Sequence, residues 1–267
     1  LKKLIARPYG MLLCVGPTGS GKTTTLHAAL AHINQPGVKI WTAEDPVEIT
    51  QPGLRQVQVR PKIGLDFARV MRGFLRLDPD IIMIGEMRDK ETATIGLEAA
   101  LTGHLVLSTL HTNNAPETLT RLVEMGMNPL NISDAFLGVL GQRLVRRLCQ
   151  GCIESYHPGE EEFEDLRMDY GREAFDAAGL AYGPGAALKR STGCEKCSGS
   201  GFKGRIGIHE LMEATYAVKL LIKKGATSFD LARQAAADGM TTLKQDGIRK
   251  IMDGITTIRE VRRVCVD

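Results

Sequence analysis

The run Gly16-Pro17-Thr18-Gly19-Ser20-Gly21-Lys22-Thr23, continued by Thr24, fits the pattern G-x-x-x-x-G-K-[ST] in full. The chemistry of that pattern is phosphate capture. Its glycines let the backbone curl until several N–H groups face one point, and the N-terminus of a following helix adds partial positive charge there. Lys22 is then placed to reach the β- and γ-phosphates of ATP, and Thr23 to ligate Mg²⁺. The flanks agree with this reading. Residues 11–15 form a short apolar run of the kind that makes a buried strand, and 22–32 read as a helix.

Transfer of a phosphoryl group to water needs a residue that orients or deprotonates the water, and an anchor for Mg²⁺. Two apolar runs end in acids: Thr42-Ala43-Glu44-Asp45-Pro46-Val47-Glu48 and Asp80-Ile81-Ile82-Met83-Ile84-Gly85-Glu86. Ligands of parallel α/β sheets bind at the carboxyl ends of strands, so Glu44, Glu48 and Glu86 are all candidates. Gly85 stands where an Asp is often found, which leaves Glu86 to serve the metal-bound water or the chemistry on that strand. The residues do not decide between Glu44 and Glu48 as the base. His104 and His111 flank the apolar run 105–109. His111 lies just past its carboxyl end, in the position of a γ-phosphate sensor, and His104 lies at the opposite end.

A second chemistry comes from cysteine. Of the six (Cys14, Cys149, Cys152, Cys194, Cys197, Cys265), four form two C-x-x-C pairs, Cys149/Cys152 and Cys194/Cys197. Each such turn aims two thiolates at one point, and two turns make a closed tetrahedral Zn²⁺ site with a structural role. In a protein that binds cytosolic nucleotide, metal is favoured over disulfides. His157 and His209 are near in sequence but are not needed as ligands. The same spacing would suit a nucleic-acid zinc ribbon, but the acidic run from Glu160 to Asp165 would repel phosphate.

The elements that must position these groups follow from the pattern of apolar runs. Strands are expected at 11–15, 38–43, 81–84 and 105–109, with helices at 22–32, 67–77 and 92–101, which makes an α/β domain with a mainly parallel sheet. Helical patterns dominate 115–148. The texture changes at Cys149: residues 149–209 read as a small, loop-rich metal module. After Leu211 the chain reads as helical, with breaks at Gly225, Gly239 and Gly254. The division expected is 1–148, 149–210 and 211–267. With 43% hydrophobic and 24% charged residues and a net charge of +3, the composition is that of an ordinary globular protein and demands neither nucleic acid nor anionic lipid. No apolar stretch is long enough for a membrane-spanning helix. The 267-residue chain begins at Leu1 rather than Met, so it reads as a piece of a longer protein.

Four segments, GPTGSGKTTT, TAEDPVEI, FLRLDPDIIMIGEMRD and LTGHLVLSTLHTNNA, resemble the Walker A, Asp box, Walker B and His box of the bacterial type II secretion and type IV pilus ATPases. GQRLVRRLC and GCEKCSGSGFKGRIGIHEL continue the likeness over nearly the whole chain. The resemblance implies a RecA-like P-loop core with a zinc-binding insertion and a C-terminal helical region. It implies a hexamer at the cytoplasmic face of the inner membrane, working on platform and docking proteins to assemble pilin-like subunits. By motif, Lys22 and Thr23 bind phosphate and Mg²⁺, Glu44 is the water-activating base, Glu86 the Walker B acid, and His111 and His104 the His-box residues. Arg72 and Arg76 match arginines that approach nucleotide or a neighbouring subunit, although a basic helix face with surface ion pairs would look the same. The four cysteines mark assembly-type motors, since those resembling the retraction ATPase lack them.

The resemblance also implies a domain before Leu1 that covers the nucleotide and supplies further arginines. Without it, binding is expected to persist and hydrolysis to be slow. Two other readings are open. One is a DNA-translocating hexamer, for which one Trp and 5% aromatic residues offer little stacking surface. The other is a nucleotide-gated scaffold without turnover, against which the intact Glu44 and Glu86 argue.

Overall fold

The computed structural model describes residues 1–183 and 187–265. In chain order the elements are α1 (Lys2–Ile5), β1 (Gly10–Val15), α2 (Lys22–Ile33), β2 (Ile40–Glu44), β3 (Leu54–Gln58), α3 (Phe67–Phe74), β4 (Ile81–Ile84), α4 (Lys90–Leu101), β5 (Leu105–Leu110), α5 (Ala115–Glu124), α6 (Pro129–Ala135) and β6 (Phe136–Leu148). There follow β7 (Ile153–Tyr156), α7 (Glu160–Tyr170), α8 (Arg172–Ala177), β8 (Leu188–Ser191), β9 (Phe202–Glu213), α9 (Tyr216–Lys223), α10 (Ser228–Ala237), α11 (Leu243–Met252) and α12 (Ile258–Val264). They form two compact units. The first is Leu1–Gln142 with Leu211–Met240, and the second is Arg143–Glu210 with the chain from Thr241 onward.

The main sheet has the order β3-β2-β4-β5-β1-β6-β9. β2 pairs in parallel with β3 and β4, β5 with β4 and β1, and β1 with β6. β1, β4 and β5 are buried at every position because both faces of the sheet are covered. Met11, Leu13 and Val15 join one core with Ile82, Ile84 and Val106, beside residues of α3 to α6, α9 and α10. Leu12 and Cys14 point the other way with Ile81, Met83, Leu105 and Leu107, against α1 and α2. The alternation is the two-residue period of a strand. Register then sets the site. Val15 lies opposite Leu110, Ala43 opposite Ile84, and Ile84 opposite Ser108. The strand ends therefore fall in a row, with Gly16, Glu44, Glu86 and His111 at or just beyond one edge.

The second unit has its own core of Val145, Phe163, Leu166, Tyr170, Phe175, Leu188, Ile208, Leu243, Ile248, Ile251 and Val261. Phe163 and Tyr170 both meet Phe175 edge-on, with ring centroids 5.5 Å apart. Glu260, also buried, accepts hydrogen bonds from the guanidinium groups of Arg146 (2.7 Å) and Arg263 (3.0 Å).

Three expectations differ from this fold. The helical reading of 115–148 holds only as far as Ala135; Phe136–Leu148 is a strand. Gly138 is the reason in part, because a Cβ there would stand 2.8 Å from the Met212 carbonyl oxygen, so two backbones approach where a helix would need room for side chains. The module 149–209 is not mainly loop, since it contains α7, α8 and three strands. The segment 211–267 does not fold as one body: residues 211–240 belong to the first unit and those from Thr241 to the second. Among the described residues, no helix is long and apolar enough to cross a membrane.

Candidate active site and candidate metal centre

The phosphate loop spans β1 and α2 as its sequence requires. Gly19 and Gly21 take φ of 77° and 86°, the left-handed region that favours glycine, and Gly21 caps α2 in that conformation. The Lys22 ammonium donates to the carbonyl oxygens of Gly16 (2.8 Å) and Pro17 (3.0 Å), so it folds over its own loop. The Ser20 hydroxyl is buried without a hydrogen-bond partner among the described residues. Thr23 is half-buried and Thr24 exposed. Gln142, at the end of the β6 stretch in the first unit, was not foreseen. It accepts from the Thr25 hydroxyl (2.7 Å) and donates to the Ser20 carbonyl (2.7 Å), fixing the loop to the sheet. A lone Gln in an apolar run was its only signal.

The acids divide sharply. Glu44 ends β2 with a side chain only 3% exposed. Its Oε1 accepts from the Thr42 hydroxyl (2.6 Å) and the Gln56 amide (3.0 Å), and its Oε2 lies 3.0 Å from His27 Nε2. Glu48, by contrast, is exposed on the following loop without an ion-pair partner among the described residues. Glu86 follows β4. Arg88 donates to its Oε1 (2.5 Å), and His111 Nε2 stands 3.5 Å from its Oε2. The hydrogen bond to Glu86, with the charge of Asp45 adding to it, holds the Arg88 guanidinium above its ordinary range. Gly85 explains the unusual end of this strand. It donates to the Ala43 carbonyl (2.7 Å), and a Cβ there would meet that oxygen at 3.2 Å and Glu44 Cα at 3.4 Å. A side chain at 85 would push the two acid-bearing strand ends apart.

His104 is remote from this edge, at the start of β5, where its Nδ1 bonds the Ala99 carbonyl (2.9 Å) at the end of α4. Arg72 projects from α3 and pairs with Glu91 of α4, both exposed. Arg76 is exposed without an ion-pair partner among the described residues. Neither arginine touches Glu44, Glu86 or His111 through any contact the structure gives.

The four cysteines converge in the second unit, with all four sulfurs within 4.8 Å of one another. Cys149–Cys194 and Cys152–Cys197 are 3.9 Å apart, Cys194–Cys197 3.8 Å, and none is in a disulfide. Bonds of about 2.3 Å to a central Zn²⁺ give tetrahedron edges of about 3.8 Å, so the donor set fits that ion. The N–H groups of Cys194 (3.2 Å) and Gly201 (3.3 Å) point at Cys197 Sγ. The Cys194 N–H first, then that of Gly201, brings the Cys197 thiol down to about 6, against the pull of burial. Desolvation pushes Cys152 up to about 11. His157 packs on Tyr182 and His209 lies near Asp246, so neither joins the cluster.

A phosphate loop and two carboxylates at the carboxyl edge of a parallel sheet define the class of P-loop α/β proteins. Within that class, a family model described as "Type II/IV secretion system protein" matches residues 1–263, and the chain belongs to that family. It is 48% identical over 260 residues to the protein of Thermus thermophilus named type IV pilus assembly ATPase PilB, covering 97% of this chain and 28% of that protein. It is 47% identical over 264 residues to type II secretion system protein E of Dickeya dadantii, covering 99% of this chain and 50% of that protein. The chain thus spans half or less of these relatives. The crystal structure of the pilus retraction motor PilT with bound ADP superposes with a TM-score of 0.69 at 27% identity, covering all of this chain and 64% of that one.

Proposed function

We propose that the chain is the Mg²⁺-dependent ATP-hydrolysing part of a motor that powers assembly of pilin-like subunits, in a type II secretion system or a type IV pilus machine. One observation carries the catalytic half of this reading: the phosphate loop, Glu44, Glu86 and His111 stand at one edge of the sheet because the strands are in register. The relatives' names, type IV pilus assembly ATPase and type II secretion system protein E, support the motor half.

In this reading residues 16–24 enclose the phosphates. Lys22 exchanges its two loop carbonyls for phosphate oxygens, and the unpartnered Ser20 hydroxyl gains a partner. Thr23 and Glu86 would hold Mg²⁺, which when bound neutralises charge on the β- and γ-phosphates. Water oxygen bonds to the γ-phosphorus, the bond to the bridging oxygen breaks, and ADP leaves with that electron pair. Glu44 takes the proton from water. His111, beside Glu86, senses the γ-phosphate, and Arg72 and Arg76 serve a neighbouring subunit of a hexamer. The four cysteines hold a Zn²⁺ that closes the second unit and takes no part in the chemistry. The oligomer works at the inner face of the inner membrane, on platform and docking proteins.

The test is equilibrium binding and steady-state hydrolysis of Mg-ATP by the chain and by Lys22→Ala. The expected result is nucleotide binding in the parent and its loss, with hydrolysis, in the variant. Equal binding by both would remove the phosphate loop from the account.

A further inference from the structure

Glu44 is more enclosed than Glu86, the other carboxylate at the nucleotide edge, and its two oxygens are unequally loaded. Oε1 accepts from Thr42 (2.6 Å) and Gln56 (3.0 Å), while Oε2 faces His27 Nε2 alone at 3.0 Å. A carboxylate oxygen offers two lone-pair directions, so Oε2 keeps one. His27 is only 1% exposed, and its Nδ1 has no hydrogen-bond partner among the described residues. These contacts assign the ring hydrogen to Nε2. With the hydrogen on Nδ1, a buried N–H would be orphaned and Nε2 would meet the carboxylate lone pair to lone pair.

His27 also occupies a particular place on α2. It follows Thr23 by four residues, so the two project from one helix face a turn apart. Its carbonyl accepts from the Gln51 amide (3.0 Å), and Gln56 bonds both Glu44 and the Ile49 carbonyl (2.8 Å). The loop between β2 and β3 is thereby fastened to the same helix.

We infer that His27 is a positioning residue for the hydrolysis proposed above: it donates from Nε2 to Glu44, leaves Oε2 one lone pair for the proton of water, and ties that carboxylate to the helix that carries Thr23. This rests on the reading of Glu44 as the carboxylate that receives the proton from water. The helix that binds phosphate and the group that directs water are then coupled, and a shift of α2 when the loop fills is passed to Glu44 most directly through the His27 hydrogen bond.

Two measurements on the whole chain test this. The first is the imidazole ¹⁵N NMR spectrum, with the His27 signals assigned by their loss in His27→Gln. The expected form has hydrogen on Nε2 and a bare Nδ1, and Glu44→Ala displaces it. An Nδ1–H tautomer in the parent chain overturns the pairing, and so does a signal indifferent to Glu44→Ala. The second is Mg-ATP hydrolysis. His27→Leu should lower kcat about tenfold or more with KM changed by less than about twofold, and His27→Gln, which keeps a donor at similar reach, should recover most of that loss. Equal losses in the two variants, or a loss confined to KM, would overturn the positioning role. Should His27→Leu not fold, His27→Asn serves in its place, its shorter amide falling short of Glu44. A parent chain that binds ATP without turnover sinks the hydrolytic reading and the positioning role together, while the NMR spectrum still decides separately whether the pairing exists.

Discussion

The nucleotide edge draws Lys22 from the start of α2 and Glu44, Glu86 and His111 from the ends of three strands or the loops after them, whereas the cysteine centre takes its four sulfurs from two four-residue turns. At the first, geometry is a product of sheet register: no local sequence brings Glu44 to Glu86, and only the pairing of Ala43 with Ile84 does so. At the second, each turn makes half the site by itself, and joining the halves falls to the surrounding core and to the Zn²⁺ proposed there. A site assembled by register tolerates change at its exposed tips and fails when strand ends are spread. A site assembled from turns tolerates change in the chain between them and fails when one thiol is lost.

The largest effect that would sharpen this contrast is metal removal. Chelation, or Cys149→Ser, should release zinc and collapse the second unit's cooperative unfolding, since structural Zn²⁺ is worth roughly 10–16 kcal/mol in small zinc peptides. Metal analysis by mass spectrometry together with a thermal melt checks this; a melt unchanged by chelation would refute a structural metal. Next is Lys22→Ala, which deletes hydrogen bonds to a charged ligand worth about 1.5–3 kcal/mol, a ten- to hundredfold loss of ATP affinity by calorimetry. Gly85→Ala comes third. Overpacking at the strand end should cost about 1–3 kcal/mol, and by moving Glu86 it should lower turnover further than the same substitution at Gly73, whose Cβ would meet open space.

A pH titration separates the two units by a smaller effect. Burial alone would raise the Glu260 carboxyl, but hydrogen bonds from Arg146 and Arg263 outweigh it and bring the group down to about 2 from its ordinary 4.5. A group depressed in the folded state adds stability above its unfolded pKa. That contribution should therefore fade as pH falls from about 4.5 towards about 2. Glu260→Gln should flatten this part of the second unit's stability curve, and an identical slope in the variant would contradict the assignment. The smallest effect expected is at Arg72. Its exposed pair with Glu91 is worth only about 0–1 kcal/mol, so Arg72→Ala should leave the melt nearly unchanged. A loss of turnover without loss of stability would then mark it as acting on nucleotide or a neighbouring subunit.

Much of the nucleotide edge was legible because it is built from mostly apolar strands followed abruptly by Gly, Glu or His. The two C-x-x-C turns with their four cysteines were equally plain, their spacing being local. What escaped were residues whose meaning depends on tertiary neighbours. Gln56 sits in a five-residue strand of mixed character, and His27 lies on an otherwise ordinary helix face; nothing local says that both point at Glu44. The strand Phe136–Leu148 carries a leucine and valine pattern equally suited to a helix, and its partner in the sheet decides between them. In the second unit, the acidic character of 160–165 masked the spacing of Phe163, Leu166 and Tyr170, which is that of an amphipathic helix with a buried stripe.

Hydrolysis at this edge is tested by comparing the chain with Glu86→Gln, recording ATP affinity and phosphate release from Mg-ATP side by side. The substitution keeps the shape of the side chain and removes its charge. Both proteins should bind ATP with affinities within about tenfold and only the parent should turn it over, since an acid lost at the metal and water costs rate more than binding. Phosphate release by Glu86→Gln at the parent's rate would contradict it, and the edge where the strands end would then be a place where nucleotide is held and not consumed.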